Sequence, residues 1–479
     1  MHLLLALALA AFPAAADLDG GTSPATNRVS DTGTSPATDG GTPATADDAQ
    51  LQQELEKALG KDKTTAQSQG ATQPGPRSAT GDTPTPSAPN LARGSQSLNP
   101  DISAIIDADF GYQRRQPSFL AGDDPDLKSA QGRKSLGPAV QEVELAFSAI
   151  VDPYFKGEVY LTIPNLSGIE VEEAFATTSS LPGNLQVKMG SFRSAFGRQN
   201  GQHLHVQDFT RRPLINAAFL GVDGLRGAGL QVSWLTPLPF YLALFGEVRR
   251  SNAPDLPAPV GADEQAIPPP TSTFGGGTAS DLTYVGAAKG FLDFGDDWSV
   301  YGGLNVAKGV SPGIFIPATT GTFSLGANRG TVLASGDLYV KWKPASVAQG
   351  YNSVTWQTEA VFRHFGDGDG LPGEWDGGLY SQIVAQLSRR WFLGVRGDLI
   401  GLPTSSVQGR TVRESVSLTW QASEFARVRG YLEAEQANVS AGSGPVPAGQ
   451  LIPGVSPGSA VAAFLQLEVS IGAHGAHAF

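Results

Sequence analysis

The chain has 479 residues, a formal net charge of −12, no cysteine and 16% charged residues, against roughly 25% in an ordinary soluble domain. The missing cysteines exclude a disulfide framework and thiolate metal sites, and the acidic balance argues against nucleic acid, which needs a basic surface. Beyond the N-terminus no segment approaches the ~18 consecutive apolar residues of a membrane helix, which leaves a large soluble β protein or a membrane β-barrel, whose spans alternate in polarity.

The first element is an apolar run from Leu3 to Phe12 followed by Ala14-Ala15-Ala16 before Asp17. It predicts a signal peptide over 1–16 and an exported protein, although no Lys or Arg precedes the run. Residues 17–98 read as a low-complexity tether. "GTSPAT" occurs at Gly21–Thr26 and again at Gly33–Thr38, and small polar residues with Pro cannot bury a core. Within the tether a short helix is predicted over 47–60, opened by Asp47 and Asp48 and closed by Gly60. Leu51, Leu55 and Leu59 form a stripe on it that could pair with copies of itself.

From Asn99 to Phe479 the polarity alternates with period two in segment after segment. The first is Ile102, Ala104, Ile106, Ala108 and Phe110; another is Val143, Leu145 and Phe147 against Glu142, Glu144 and Ser148. About sixteen such segments, each near the ten residues of a tilted transmembrane strand, predict an all-β transmembrane antiparallel β-barrel over 99–479. Connections alternate between short ones, such as 152–153, 236–239 and 294–297, and long ones, such as 113–138, 193–224 and 250–281. Tight turns at one rim and long loops at the other are the habit of an outer-membrane barrel rather than of a sandwich. Trp234, Trp298, Trp342, Trp356, Trp391 and Trp420 share parity with the apolar face and sit beside short turns. They predict one aromatic girdle at a bilayer interface. Phe479 continues the parity of Leu465, Leu467 and Val469 and is the candidate assembly signal.

The other face should line a lumen. It carries Glu142, Glu144, Glu158, Glu170 and Glu172 on early strands, and a basic ladder of Arg396, Arg413, Arg427 and Arg429 on late ones, diluted by Asp398, Glu433 and Glu435. The connection 193–224 holds Leu214, Ile215, Phe219 and Leu220, too apolar a set to stand in water, so it is expected to pack on the inner wall. Folded inward, it would form a constriction from Arg193, Arg198, His203, His205, Arg211 and Arg212.

The "NPDISAIIDADFGY" opening, the "VKMGSFRSAFG" strand, the inserted third loop and the terminal Phe resemble the phosphate-selective porin superfamily of Gram-negative bacteria over residues 99–479. The resemblance implies a sixteen-stranded, usually trimeric diffusion channel in the outer membrane, often anion-preferring. It carries expectations about partners: bilayer lipid and lipopolysaccharide, the barrel-assembly machinery, two further copies of the chain, and small anions or hydrophilic solutes. Lys188, Lys289 and Lys341 are scattered and do not reproduce the family's lysine-rich phosphate path. Relatives with a loop like "HLHVQDF" imply a receptor or channel for zinc as the alternative function.

Three motifs compete. His203 and His205 at i, i+2 could share a face toward a metal, but a closed site needs four ligands, and neither a metal nor a cofactor is assigned. "GVSPG" at Gly309–Gly313 and at Gly454–Gly458 matches G-x-S-x-G, but no helix follows to form a nucleophile elbow, so an outer-membrane hydrolase is the weakest alternative and no enzymatic activity is expected. Asp367, Asp369, Glu374 and Asp376 offer calcium-type oxygens without EF-hand spacing.

Overall fold

The computed structural model describes residues 100–114, 134–164, 166, 168–221, 224–250, 273–274, 281–311, 313–315, 324–325, 329–345, 351–367, 373–403, 410–438, 446–447 and 458–472. These belong to one compact unit, Ala79–Phe479. The segments read from the sequence as a signal peptide and as a tether with a short helix, the second GVSPG apart from Gly458, and Phe479 lie outside the described residues.

The strands in chain order are β1 (Asp101–Arg114), β2 (Lys134–Ile150), β3 (Phe155–Pro164), β4 (Glu170–Thr178), β5 (Leu185–Arg193), β6 (Arg226–Leu235), β7 (Tyr241–Arg250), β8 (Leu282–Phe294), β9 (Trp298–Ser311), β10 (Gly313–Phe315), β11 (Ser324–Leu325) and β12 (Arg329–Trp342). They continue with β13 (Ser353–Phe365), β14 (Glu374–Ser388), β15 (Trp391–Leu402), β16 (Arg410–Gln421), β17 (Ala426–Asn438), β18 (Val446–Pro447) and β19 (Gly458–Gly472). Sixteen of them form a closed antiparallel barrel in which each strand pairs with its neighbours in sequence, and β19 pairs back onto β1. Ala104 lies opposite Ile471 and Phe110 opposite Leu465 in that closing pair, so the alternation at the chain's end is the partner of the alternation at its start. Closure leaves the barrel without an edge strand. The short strands β10, β11 and β18 form a separate three-stranded sheet.

The period-two pattern becomes an outer and an inner face. On β1, Ile102, Ile106 and Phe110 are exposed while Ser103, Ile105 and Asp107 are buried. On β9, Leu304 and Val306 are exposed between buried Asn305 and Ala307. The barrel is therefore inverted relative to a soluble domain: its exterior is apolar and its interior polar. Among the described residues no helix is long and apolar enough to cross a membrane.

The six tryptophans lie on the outer face toward the short-turn rim. Trp298 is in register with Trp342 and Trp391 with Trp420, and in both pairs the ring centroids are 6.4 Å apart. Trp234 donates its indole N–H to the Gly183 carbonyl at 3.1 Å, and Trp356 donates to Ser381 Oγ at 2.9 Å. Long and short connections alternate, with two differences. On the short-turn side β12 and β13 are joined by ten residues, 343–352. On the long-loop side β3 and β4 are joined by residues 165–169 alone.

Candidate functional site

Between β5 and β6 the chain turns into the barrel. Phe196, Leu214, Ile215, Ala218, Phe219, Leu220 and Leu225 are buried, packed with Val285, Ala307, Leu333, Val361, Tyr380 and Ile400 from the inner faces of β8, β9, β12, β13, β14 and β15. The hydrophobic core of the molecule is thus inside the barrel, between this loop and the wall. Each large apolar side chain removed from water there contributes about 1.5–3 kcal/mol, enough to hold a loop that would otherwise fluctuate. The segment Asn216–Leu220 forms a single π-helical turn.

The loop's neck is closed by Asn200. Its side-chain amide donates to the carbonyls of Ser194 at 2.9 Å and Leu225 at 3.1 Å, and its Oδ1 accepts from Leu225 N–H at 2.7 Å. Glu247 on β7 accepts from Ser194 Oγ and from Ala195 N–H, both at 2.7 Å. Gly197 has φ +72°, and a Cβ there would meet the Glu359 carboxylate. Only glycine lets the backbone pass so close to that wall.

The predicted basic ladder faces inward, and its role differs from that of open pore charges. Arg396 bonds Asp398 at 2.9 Å and donates to the Arg211 carbonyl at 2.8 Å. Arg413 bonds Glu435 at 2.7 Å and donates to the Arg212 carbonyl at 3.4 Å. Arg429 bonds Gln466 and the Gln207 carbonyl, each at 2.8 Å, and Arg427 bonds Glu468 and the His205 carbonyl. The ladder grips the backbone of residues 205–212, while the acidic residues taken as dilution are its ion-pair partners. Charge on the wall is spent within the wall and the loop.

The six constriction candidates divide. Arg193 pairs with Glu172 and is buried. Arg211 bonds Glu433 at 2.9 Å, lies over the Phe464 ring and is buried. His205 is buried as well. All three are drawn onto wall carboxylates: Arg193 onto Glu172 of β4, His205 onto Glu144 of β2 and Arg211 onto Glu433 of β17. Arg198, His203 and Arg212 stay partly exposed. Arg198 stacks on Tyr339 at 4.0 Å and Tyr301 at 5.1 Å and bonds the neutral Gln357. Asp208 is exposed to water yet enclosed by the barrel. That enclosure raises its carboxyl above the ordinary range, against the lowering pull of Arg429, Arg427 and Arg198.

On the opposite wall two β-bulges reshape the strands. The register slips between Asp107 and Ala108 of β1, leaving Gln141 of β2 extra, and between Tyr160 and Leu161 of β3, leaving Glu172 of β4 extra. A bulge re-aims side chains. Here it leaves adjacent Glu172 and Glu173 both buried on the inner side, with Glu173 accepting from Arg193 N–H at 2.8 Å. His203 Nδ1 lies 3.1 Å from Glu172 and 3.2 Å from Glu144, and His205 Nδ1 lies 3.1 Å from Glu144. His205 lies in a 3-10 turn, Leu204–Val206, and His203 is the residue that caps its N-terminal end, so neither is carried by a strand. Burial disfavours charge on His203, but Glu172 and Glu144 outweigh it and hold the imidazole well above its ordinary pKa.

Sequence reading missed Asn200, Glu247 and Glu359 as loop anchors. Parity places Glu247 and Glu359 on the inner face, but nothing local in the sequence says which loop atoms meet them. Asp376, weighed as a calcium ligand, is instead bonded by Arg363 at 2.6 and 2.9 Å.

The fold and the site together define a sixteen-stranded barrel with an apolar exterior, a polar interior and an inserted loop. A protein of Aquifex aeolicus (strain VF5), described as uncharacterized, is 32% identical over 361 residues, covering 69% of this chain and 72% of its own. The chain belongs to the same family as that protein. No protein-family model matches. Among solved structures, similarity extends to the anion-selective porin from Comamonas acidovorans, at 10% identity and a TM-score of 0.48 over 78% of this chain and 99% of that one. It extends also to the outer membrane channel DcaP of Acinetobacter baumannii, at 9% identity and 0.47 over 79% and 99%. A third is the trimer form of OmpT, an outer membrane protein of Vibrio cholerae, at 8% identity and 0.48 over 78% and 100%.

Proposed function

We propose that the protein is a porin of a Gram-negative outer membrane, a passive diffusion channel for small hydrophilic solutes with a modest anion preference. The observation that carries the reading is the inverted barrel with a loop seated on its inner wall, since charged and polar groups facing inward suit a water-filled passage and an apolar exterior suits lipid. The anion preference rests on Lys188 and Arg198. Both are partly exposed on the inner side, and their contacts are to aromatic rings and an amide. Against them stands Asp208. Uncompensated charge in a narrow passage concentrates counter-ions. Lys289 and Lys341 are buried, so a phosphate-specific path is not part of the reading. The reversal potential in a salt gradient tests it: a preference for chloride over potassium that Arg198→Gln diminishes supports the proposal, and cation preference in the wild type refutes it.

We infer further that the barrel works as a homotrimer. Glu414 is exposed on the outer row of β16 with Val412 and Leu418. It lies about 20 Å along the strand from Trp420 at ~3.3 Å per residue, deep in the belt lipid would otherwise occupy. Its register neighbours across the outer face run through Gly397 and Ser381 to Thr358. Small and polar residues there suit contact with a second copy of the chain better than contact with acyl chains. Chemical crosslinking in mild detergent checks the state, and a monomer at every concentration contradicts it.

A further inference from the structure

Beyond the diffusion-channel reading, we propose that His203, His205, Glu144 and Glu172 form a binding site for a divalent transition-metal ion of the zinc class, which fastens the inward loop to the wall of β2 and β4. The sequence offered two histidines and no further ligands; the fold supplies the carboxylates. Nδ1 of both histidines converges on one oxygen, Glu144 Oε2, at 3.1 and 3.2 Å, and His203 Nδ1 lies 3.1 Å from Glu172 Oε2. A tetrahedral ion with bonds of roughly 2.1 Å separates its ligands by about 3.4 Å. Three of the six edges of such a site thus lie within a few tenths of an ångström of that figure.

Two further observations point to a cation rather than a hydrogen-bond network. Glu144 is 2% exposed, and its Oε2 takes no well-aligned hydrogen bond although it is aimed at both imidazoles. Buried acceptors without such bonds are rare and call for a partner. Glu142 also converges with Glu144 and Glu172, their oxygens lying within 4.8 Å of one another. Three carboxylates at such range repel unless positive charge sits among them; Arg193 and Arg212 supply part of it from the Glu172 and Glu142 sides, and a cation at the two imidazoles would supply the rest. Arg193 engages Glu172 through Oε1, which leaves Oε2 directed at His203. Two imidazoles with two carboxylates suit a borderline ion, whereas magnesium and calcium prefer all-oxygen sets.

The test uses the full-length protein, folded in detergent, stripped with chelator and titrated calorimetrically with Zn²⁺. The expected result is one ion per chain at micromolar affinity or tighter, undisturbed by about a thousandfold excess of Mg²⁺, together with a rise in melting temperature. His203→Ala combined with His205→Ala should weaken binding by about 100-fold or more, since two of four ligands are lost. Folding of the variant is checked by heat-modifiable gel mobility. X-ray absorption at the zinc edge of the wild type keeps the proposal testable even if that variant does not fold, and should show two imidazole ligands. Absent binding to folded wild type, unchanged affinity in the folded variant, or a spectrum without imidazole each overturns the site. Bilayer conductance of the stripped protein is read separately, so a failed site leaves the channel reading standing and a failed channel leaves the site standing.

Discussion

Arg363 on β13 is a buried charge in direct contact with the loop's apolar half. Its guanidinium bonds both oxygens of Asp376 at 2.9 and 2.6 Å and donates to Thr273 Oγ1 at 2.9 Å and to the Ala218 carbonyl at 3.3 Å. It lies over Phe219 at 4.9 Å and Phe365 at 4.5 Å. Both members of the ion pair are 0% exposed. Arg363→Met keeps an unbranched apolar stem but leaves Asp376 charged and unpaired, a change that costs about 3–5 kcal/mol. Removing both charges, as Arg363→Met with Asp376→Asn, leaves only neutral groups to satisfy and should cost about 1–3 kcal/mol. The double variant is therefore expected to be more stable than the single one. Urea unfolding of the barrel in lipid vesicles, followed by tryptophan fluorescence, measures both. A single-variant loss under ~1 kcal/mol, or a double variant less stable than the single, would refute the view that this pair anchors Asn216–Leu220.

Other perturbations follow from the same geometry. Asn200→Leu deletes three buried hydrogen bonds at the neck and should cost about 1–3 kcal/mol, with faster proteolysis within 194–225; an unchanged cleavage rate contradicts the neck. Gly197→Val forces a side chain onto Glu359 and should displace the loop, read as altered and noisier single-channel conductance; wild-type traces speak against the close approach. Glu414→Leu makes the outer row uniformly apolar and should strengthen the monomer at the expense of crosslinked trimer, whereas unchanged crosslinking moves the interface elsewhere. Deleting Phe479 should lower the assembled amount far more than the conductance of what assembles, judged by heat-modifiable mobility; normal assembly discounts it as a signal.

Much of the barrel was legible because period two is a strong local signal and lipid enforces it on every strand. Ile102 to Phe110 and Phe464 to Ile471 could be recognised separately, and their pairing completes the closure. The loop's inward course was legible from Leu214, Ile215 and Phe219, since apolar residues in a polar connection need a wall. What alternation cannot show is which charges meet. Arg413 and Glu435 are partners because β16 and β17 stand in a particular register, and Arg211 finds Glu433 across 222 positions of sequence. The bulge that leaves Glu172 and Glu173 both buried inside breaks the parity rule itself, so Glu173 was hidden from a reading that assumed regular strands; Glu144 and Glu172 were legible as inward-facing, but not their meeting with the histidines of a loop. That is why the arginines looked like pore charge in the sequence and are loop anchors in the fold.

An anion-preferring channel is tested most directly by one recording: single channels of the purified protein in a planar bilayer under a salt gradient. The expected result is stepwise conductance with a reversal potential on the anion side, weakened in about 1 M salt, where the Debye length falls to ~3 Å. A protein that inserts in its folded, heat-modifiable form yet conducts no ions, or that conducts with cation preference, would contradict it.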